Sequence, residues 1–471
     1  MSSPDLSSDS AARREIRERA DGVRADGVAL GFPAIAAPSP ALRGPHGRVA
    51  VVAGARTPFS RAGTELGEFD VIDLAGIAAA EAVARSGIDP RTIDLAIFGA
   101  VLPALSGPNL GREVVFRAAL PKSIPGVGVS LACASSNRAI TDGAHAILLG
   151  EAETVLAGGA ESLSNVPITF SKRASNKFQR LAMARGLGRR LGVAASFRPR
   201  YFAPVAPAIA EYSTGLTMGE SCEKMAKEND VSRAAQDEVA LASHLRAAAA
   251  RDGGRFAGQI VPVFPPPKLD RAVATDNGIR ADSSLAALAE LKPVFDRRFG
   301  TLTAGNSSPI TDGGAAVVLM SERRARAAGL TPLGYLRSWA WFAVPPEGQL
   351  LQGPAYAAPL ALERAGLRLA DIDLIEMHEA FAAQLLSNLK AFASPKFAAR
   401  ELHRSAPLGE VDFDRLNVNG GSIALGHPFG ATGARVTMQL LHELGRRGLQ
   451  FGLLTVCAAG GHGFAMVVER E

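Results

Sequence analysis

The segment ARSGIDPRTIDLAIFG, residues 84–99, returns in altered form as ERAGLRLADIDLIEMH, residues 363–378. Arg85, Gly87, Ile93, Asp94 and Leu95 reappear as Arg364, Gly366, Ile372, Asp373 and Leu374, all at one offset of 279. In both copies a helical stretch stops at a glycine, a short loop follows, and an apolar β-branched run enters a buried strand. A chain built this way folds as two related halves. Around both copies apolar strands alternate with Ala-rich helical segments, which predicts an α/β protein with a largely parallel sheet.

The chain has 471 residues, 47% of them hydrophobic, enough apolar material for two or three packed units. We expect a mobile tail and linker over 1–46, a first half over 47–165 completed by 300–324, an inserted region over 166–299, and a second half over 325–471. The tail lacks the apolar core of a secretory signal, and its six acidic residues up to Asp26 do not suit a transit peptide. Its linker, PAIAAPSPALRGPHG, leads to the strand-like RVAVVAGA, where order is expected to begin.

The inserted region holds an amphipathic helix, SRAAQDEVALASHLRAAAAR, and a Pro-rich turn, VFPPPKLD. Within it, residues 171–200 carry nine Lys/Arg and no acidic residue. A solvated loop is one reading of that segment. The others are contact with an anionic membrane surface, with a partner subunit, or with the phosphates of a nucleotide-bearing substrate.

The net charge of +5 is modest, and the basic residues form no stripe interleaved with aromatics, so nucleic acid is not an expected partner. No run of about 18 apolar residues predicts a membrane span. Three widely spaced cysteines, Cys133, Cys222 and Cys457, without C-x-x-C, argue against a disulfide framework or a structural zinc site. A reducing, cytoplasmic setting is expected.

Isolated cysteines are most often packed core residues, so each needs its own reason to be called reactive. Cys133, in VSLACASSNRAITDGAHAILLG, falls at a strand-to-helix turn near a helix N-terminus, where unpaired N–H groups favour thiolate over thiol. Cys457 ends the strand of LLTVCAAGGHG and runs into glycines whose N–H groups can approach a substrate oxygen. His427, in NVNGGSIALGHPFGATGAR, is confined by glycines and Pro428 and suits a base. His378, in LIEMHEAFAAQ, follows the repeat's buried strand.

These positions together resemble the thiolase superfamily, from about Arg48 to Glu471. The resemblance rests on Cys133-Ala-Ser-Ser, AGGAESLSNVP (157–167), TGLTMGESCEKMA (214–226), GTLTAGNSSPITDGGAA (300–316), HEAFA (378–382), the 417–435 stretch and CAAGGHG (457–463). It implies a thiolase-like fold: two duplicated α/β halves in five αβαβα layers, with an inserted, mostly helical loop domain. It implies that Cys133 is the nucleophile, that His427 activates it and donates to the thioester oxygen, and that Cys457 shuttles protons. His378 stands where the commoner motif has the Asn that holds an oxyanion-hole water. Met218, Arg280 and Ser308 fall where the family contacts acyl chain, adenine and pantetheine. Two departures stand out: Ala459 replaces a glycine whose N–H completes an oxyanion hole, with Gly460 following it, and His462 replaces a small or apolar residue.

HEAFA and the basic insertion most resemble thiolase subunits of trifunctional β-oxidation complexes. That implies cleavage of 3-ketoacyl-CoA with CoA as co-substrate, no permanently bound cofactor, no metal, a homodimer, and a possible hydratase/dehydrogenase partner subunit. An acetoacetyl-CoA thiolase condensing two acetyl-CoA is the nearest alternative, and a non-catalytic lipid-binding or scaffold subunit a more distant one. A ketoacyl-synthase-like enzyme would not need Cys457.

Overall fold

The structure, a computed structural model, describes residues 42–205 and 210–471. The expected mobile tail lies almost wholly outside the described residues. The end of the linker is packed: Leu42 sits against the central core, and Gly44 and Gly47 exchange backbone hydrogen bonds. Order therefore begins ahead of RVAVVAGA.

The first half contains β1 (Val49–Arg56), α1 (Val71–Ser86), β2 (Leu95–Gly99), α2 (Leu110–Arg117), β3 (Gly126–Val129), α3 (Ser135–Leu149) and β4 (Thr154–Glu161). The inserted region adds α4 (Lys172–Met183), α5 (Leu187–Ala195), α6 (Met218–Glu228) and α7 (Arg233–Asp252), after which β5 (Thr311–Ser321) re-enters the sheet. The second half holds β6 (Gly334–Ala343), α8 (Gly353–Ala365), β7 (Leu374–Met377), α9 (Ala382–Ala393), α10 (Thr432–Arg447), β8 (Phe451–Ala458) and β9 (His462–Glu469).

The sequence repeat has a physical job. Gly87 and Gly366 end α1 and α8 in the left-handed region, with φ of 67° and 68°. Asp94 then accepts hydrogen bonds from the N–H groups of Glu153 and Thr154 at 2.8 and 3.0 Å. Asp373 does the same for Gln450 and Phe451 at 3.0 and 2.8 Å. Each aspartate thus fastens the start of the strand that follows the half's central helix, β4 in one case and β8 in the other.

The strands run in the order β3-β2-β4-β5-β1-β6-β9-β8-β7. The two halves join where β1 and β6 pair over only Val49–Val51. Only β2–β3, β2–β4 and β7–β8 are parallel. The sheet is therefore mixed, not largely parallel. One cause is β5, which returns from the insertion antiparallel to both β4 and β1. The other is the β8–β9 connection through residues 459–461, a turn too short for anything but an antiparallel hairpin.

Alternation along β1 sorts the layers. Val49 and Val51 face a central cluster with Ile140 of α3 and Val436 of α10, whereas Ala50 and Val52 face Leu74 of α1 and Val114 of α2. On the far side, Leu360 of α8 and Leu385 of α9 cover Leu453 of β8 and Val467 of β9. Five layers result, with α3 and α10 between the two halves of the continuous sheet.

The basic segment is two helices rather than a loop. Ser171 caps α4, and the Phe170, Phe178, Phe197 and Phe202 rings cluster, with α4 and α5 forming a helical hairpin around them. Met183, Leu187 and Leu191 stay exposed. No helix among the described residues is long and apolar enough to cross a membrane.

Candidate active site

Cys133 occupies the turn between β3 and α3. Ser135 clamps that turn: its hydroxyl accepts from the Leu131 N–H at 2.9 Å and donates to the Ala132 carbonyl at 2.7 Å. Ala132 is held at φ 46°, an uncommon value for a residue with a side chain. Cys133 is half-buried as a residue, while its sulfur is enclosed. Cys457, the penultimate residue of β8, is buried with Cys222, Met218 and Phe381. The backbone N–H of Ala459 is directed at the Cys133 sulfur. Ala459 is not among the described non-glycine residues with positive φ.

His427 and His378 complete the arrangement, their ring centroids 4.2 Å apart. His378 follows β7, and its N–H donates to the carbonyl of Thr455, two residues before Cys457. His427 precedes α10, and its Nδ1 lies 2.6 Å from the Thr432 hydroxyl. That hydroxyl donates its one proton to the Pro428 carbonyl at 3.1 Å. It can then only accept from His427, which puts the ring proton on Nδ1 and leaves a lone pair on Nε2. Nε2 is buried with no partner among the described residues.

Electrostatics hold every one of these groups neutral at rest. Burial pushes the Cys133 thiol up to about 12, against the Ala459 N–H, which favours the thiolate. The helix end therefore does not produce a resting thiolate: enclosure outweighs it. Burial also drives the Cys457 thiol well above its ordinary value. Burial, then the Arg435 guanidinium, lowers His427 to about 3. Beneath Cys133, Glu161 accepts from the N–H groups of Val101, Leu102 and Gly430, tying the floor of the site to the loop that carries His427. Burial raises its carboxyl to about 7.

Met218 opens α6 and packs in the cluster of Cys457 and Phe381. Ser308 donates its N–H to the Ala380 carbonyl, beside His378. Arg280 lies farther out and exposed, and burial, then Arg280 and Arg61, depress His244. Arg61 leads back to the site, because Ala62 donates to the Ile310 carbonyl and Ile310 bridges His427. Gly460 already gives its N–H to Glu211 at 2.9 Å, which leaves Ala459 as the loop N–H facing the thiol. The His462 ring fills the space over Gly460, where an added Cβ would meet it at 3.1 Å.

The family profile of the thiolase N-terminal domain matches residues 49–323, and that of the thiolase C-terminal domain matches residues 330–470. This chain belongs to the thiolase family. Among its relatives, the 3-ketoacyl-CoA thiolase of Pectobacterium carotovorum is 49% identical over 422 residues, which are 90% of this chain and 96% of the relative. The 3-ketoacyl-CoA thiolase of Aeromonas salmonicida is 49% identical over 424 residues, covering 90% and 97%. Among solved structures, Bacillus anthracis acetyl-CoA acetyltransferase superposes with a TM-score of 0.78 at 33% identity, over 92% of this chain and 100% of that one. Human mitochondrial 3-ketoacyl-CoA thiolase in complex with CoA gives 0.76 at 32%, over 92% and 99%.

Sequence reasoning did not single out Glu161, Glu211, Ser422, Thr432 or Arg435 in this thiolase. Thr432 and Arg435 had a usable signal: they sit three apart at the start of an amphipathic helix directly after His427. Glu211 had none, because its partner is 249 residues away.

Proposed function

We propose that this thiolase cleaves 3-ketoacyl-CoA with CoA, yielding acetyl-CoA and an acyl-CoA shorter by two carbons. The observation that carries this reading is the gathering of Cys133 and Cys457 with the paired His378 and His427 rings near the ends of β7 and β8, the His427 Nε2 being open.

In the first half-reaction, His427 Nε2 takes the Cys133 proton as the sulfur attacks the C3 ketone. The C2–C3 bond breaks, its electron pair passes into an enolate on the thioester oxygen, and an acyl-Cys133 thioester remains. Cys457, kept protonated by burial, gives its proton to C2 and acetyl-CoA leaves. In the second half, incoming CoA returns a proton to Cys457 and its thiolate attacks the acyl group. The tetrahedral oxyanion takes the Ala459 N–H, which at rest faces the sulfur. Collapse of that intermediate expels Cys133 sulfur, which recovers its proton from His427.

The same reading makes His378 a donor toward the enolate oxygen and puts Met218 at the acyl chain, Ser308 at pantetheine and Arg280 at adenine. Strand β3 is an exposed sheet edge directly before Cys133, with Val127 44% exposed, and supports pairing with a second copy. The α4–α5 hairpin, basic and apolar at once, supports contact with a partner subunit or an anionic membrane in the cytoplasm.

The test is CoA-dependent loss of 3-ketoacyl-CoA absorbance with acetoacetyl-CoA and a long-chain 3-ketoacyl-CoA in parallel. Faster cleavage of the long substrate is expected, and activity on acetoacetyl-CoA alone would replace the reading with the short-chain enzyme. Cys133→Ala should abolish turnover while acyl-CoA binding persists; retained turnover would remove Cys133 from the nucleophile's role.

A further inference from the structure

The Nδ1 of His378 lies 2.8 Å from the Ser422 hydroxyl oxygen. That oxygen also receives a hydrogen bond from Arg435 Nη2 at 2.7 Å. A guanidinium only donates, so the Ser422 oxygen accepts from Arg435 and has a single proton left to give. Ser422 is fully buried, and among the described residues the acceptor within hydrogen-bond distance of its hydroxyl is the His378 Nδ1. The imidazole proton then resides on Nε2. The opposite arrangement, with Nδ1–H donating to Ser422, leaves two buried groups unpaired, the hydroxyl proton and the Nε2 lone pair, where the first leaves only the Nε2–H.

His427 shows the reverse pattern. Its Nδ1 carries the proton into Thr432, and its Nε2 is open. Thr432 and Arg435 sit three residues apart on α10, so one helical turn addresses both rings, one directly and one through Ser422. Arg435 is itself fixed by full burial and by Glu376, whose carboxylate lies 3.7 Å from Nη1. The His378 Nε2 is buried with no partner among the described residues.

Resting on the thiolase reading above, we propose that Ser422, oriented by Arg435, is a positioning residue that fixes His378 as the Nε2–H tautomer. The site then holds one histidine donor beside one histidine acceptor. The division matters to the chemistry. As the C2–C3 bond breaks, negative charge gathers on the thioester oxygen, and an N–H there lowers the barrier. A lone pair in the same place repels that charge. Ser422 thus secures for a histidine what an asparagine amide at this position offers without help, because the amide has no tautomers to choose between.

The experiment is a double-mutant cycle on the full-length enzyme, with thiolysis of the unsubstituted protein measured first. Absence of thiolysis there would refute the functional reading itself. With thiolysis established, Ser422→Ala should lower kcat about 100-fold and leave KM within about twofold. Ser422→Thr, which keeps the hydroxyl, should restore most of the rate. In the His378→Asn background, adding Ser422→Ala should change kcat less than about threefold, because no tautomer remains to be set. A full loss in both backgrounds makes Ser422 a purely structural residue and overturns the proposal. So does a Ser422→Ala enzyme within about twofold of its parent. Should Ser422→Ala not fold, the 15N shifts of His378 in the unsubstituted protein decide: a protonated Nε2 upholds the assignment and a protonated Nδ1 overturns it.

Discussion

At the Cys133 sulfur two influences oppose each other. The first N–H groups of α3 and the Ala459 N–H favour thiolate, while enclosure disfavours it, and enclosure prevails to hold the thiol at about 12. On the mechanism proposed above, the nucleophile is therefore made during the reaction, by transfer to His427, rather than kept ready. One consequence is visible without substrate. In a His427→Ala variant, alkylation of Cys133 by iodoacetamide should rise about tenfold per pH unit from pH 7 to 9. A plateau in that window would reveal a stable thiolate and contradict the resting state described. A second consequence concerns Thr432, the acceptor that keeps the His427 proton on Nδ1. Thr432→Val preserves shape and removes that acceptor, so kcat should fall about 10- to 100-fold. The buried, unpaired Nδ1–H should also lower stability by about 1–3 kcal/mol. Unchanged kinetics would mean that the imidazole is oriented by something other than Thr432.

Between α3 and α10 the backbones nearly touch, and this contact aligns the site. A Cβ added at Gly433 would lie 2.2 Å from Asn137 Oδ1 and 2.7 Å from the Asn137 nitrogen. The Ala434 N–H at the start of α10 has no cap from its own helix and donates instead to Ser136 of α3 at 2.9 Å. Gly433→Ala should force the helices apart, lowering stability by about 1–3 kcal/mol and activity with it, since Cys133 and Thr432 ride on opposite sides of the contact. Gly87→Ala is the control: its φ of 67° is strained for alanine but its surroundings are open, so stability should drop by about 1 kcal/mol with thiolysis intact. A similar loss of activity in both variants would show that the α3–α10 contact has no special role. Elements of this kind mark how far the sequence could be read. Cys133, Cys457 and the two aspartates of the repeat were legible because strand, glycine and helix signals surround them locally. The antiparallel entry of β5 was not, since it depends on where a long insertion returns the chain. Nor was the Ser422–His378 bond, which joins residues 44 apart, or the sign of the Cys133 shift, which is a sum over everything packed around one sulfur.

For the molecule as a whole, the buried ionisable groups fall into two sets with opposite effects on stability against pH. Glu322, held down mainly by the Arg48 hydrogen bond, sits at about 2. Glu443 also sits at about 2, where hydrogen bonds from Arg446, Asn419 and Arg447 overcome its burial. A carboxyl lowered in the fold binds protons more readily once unfolded, so its stabilisation is complete above its ordinary 4.5 and is lost as pH falls toward 2. Burial lowers His427 to about 3 and His244 to about 4, and it also lowers His378 and His442. These rings refuse a proton that the unfolded chain accepts below 6.5, so they too withdraw stability as pH falls. Glu161 and Glu376 run the other way: burial raises both to about 7, and the destabilisation they bring develops as pH rises from 4.5 toward 7. Between about pH 4.5 and 6.5 the raised glutamates offset only part of the loss from the more numerous lowered histidines, while below 4.5 the histidines and the lowered carboxylates act together. The thermal midpoint should decline gently from pH 7 to about 5 and drop steeply below about 4.5. Calorimetry across that range checks it. A midpoint that falls as steeply between pH 6.5 and 5 as it does below 4.5 would mean that Glu161 and Glu376 ionise freely in the fold, and that the hold of Glu161 on the Gly430 loop is that of an ordinary solvated carboxylate.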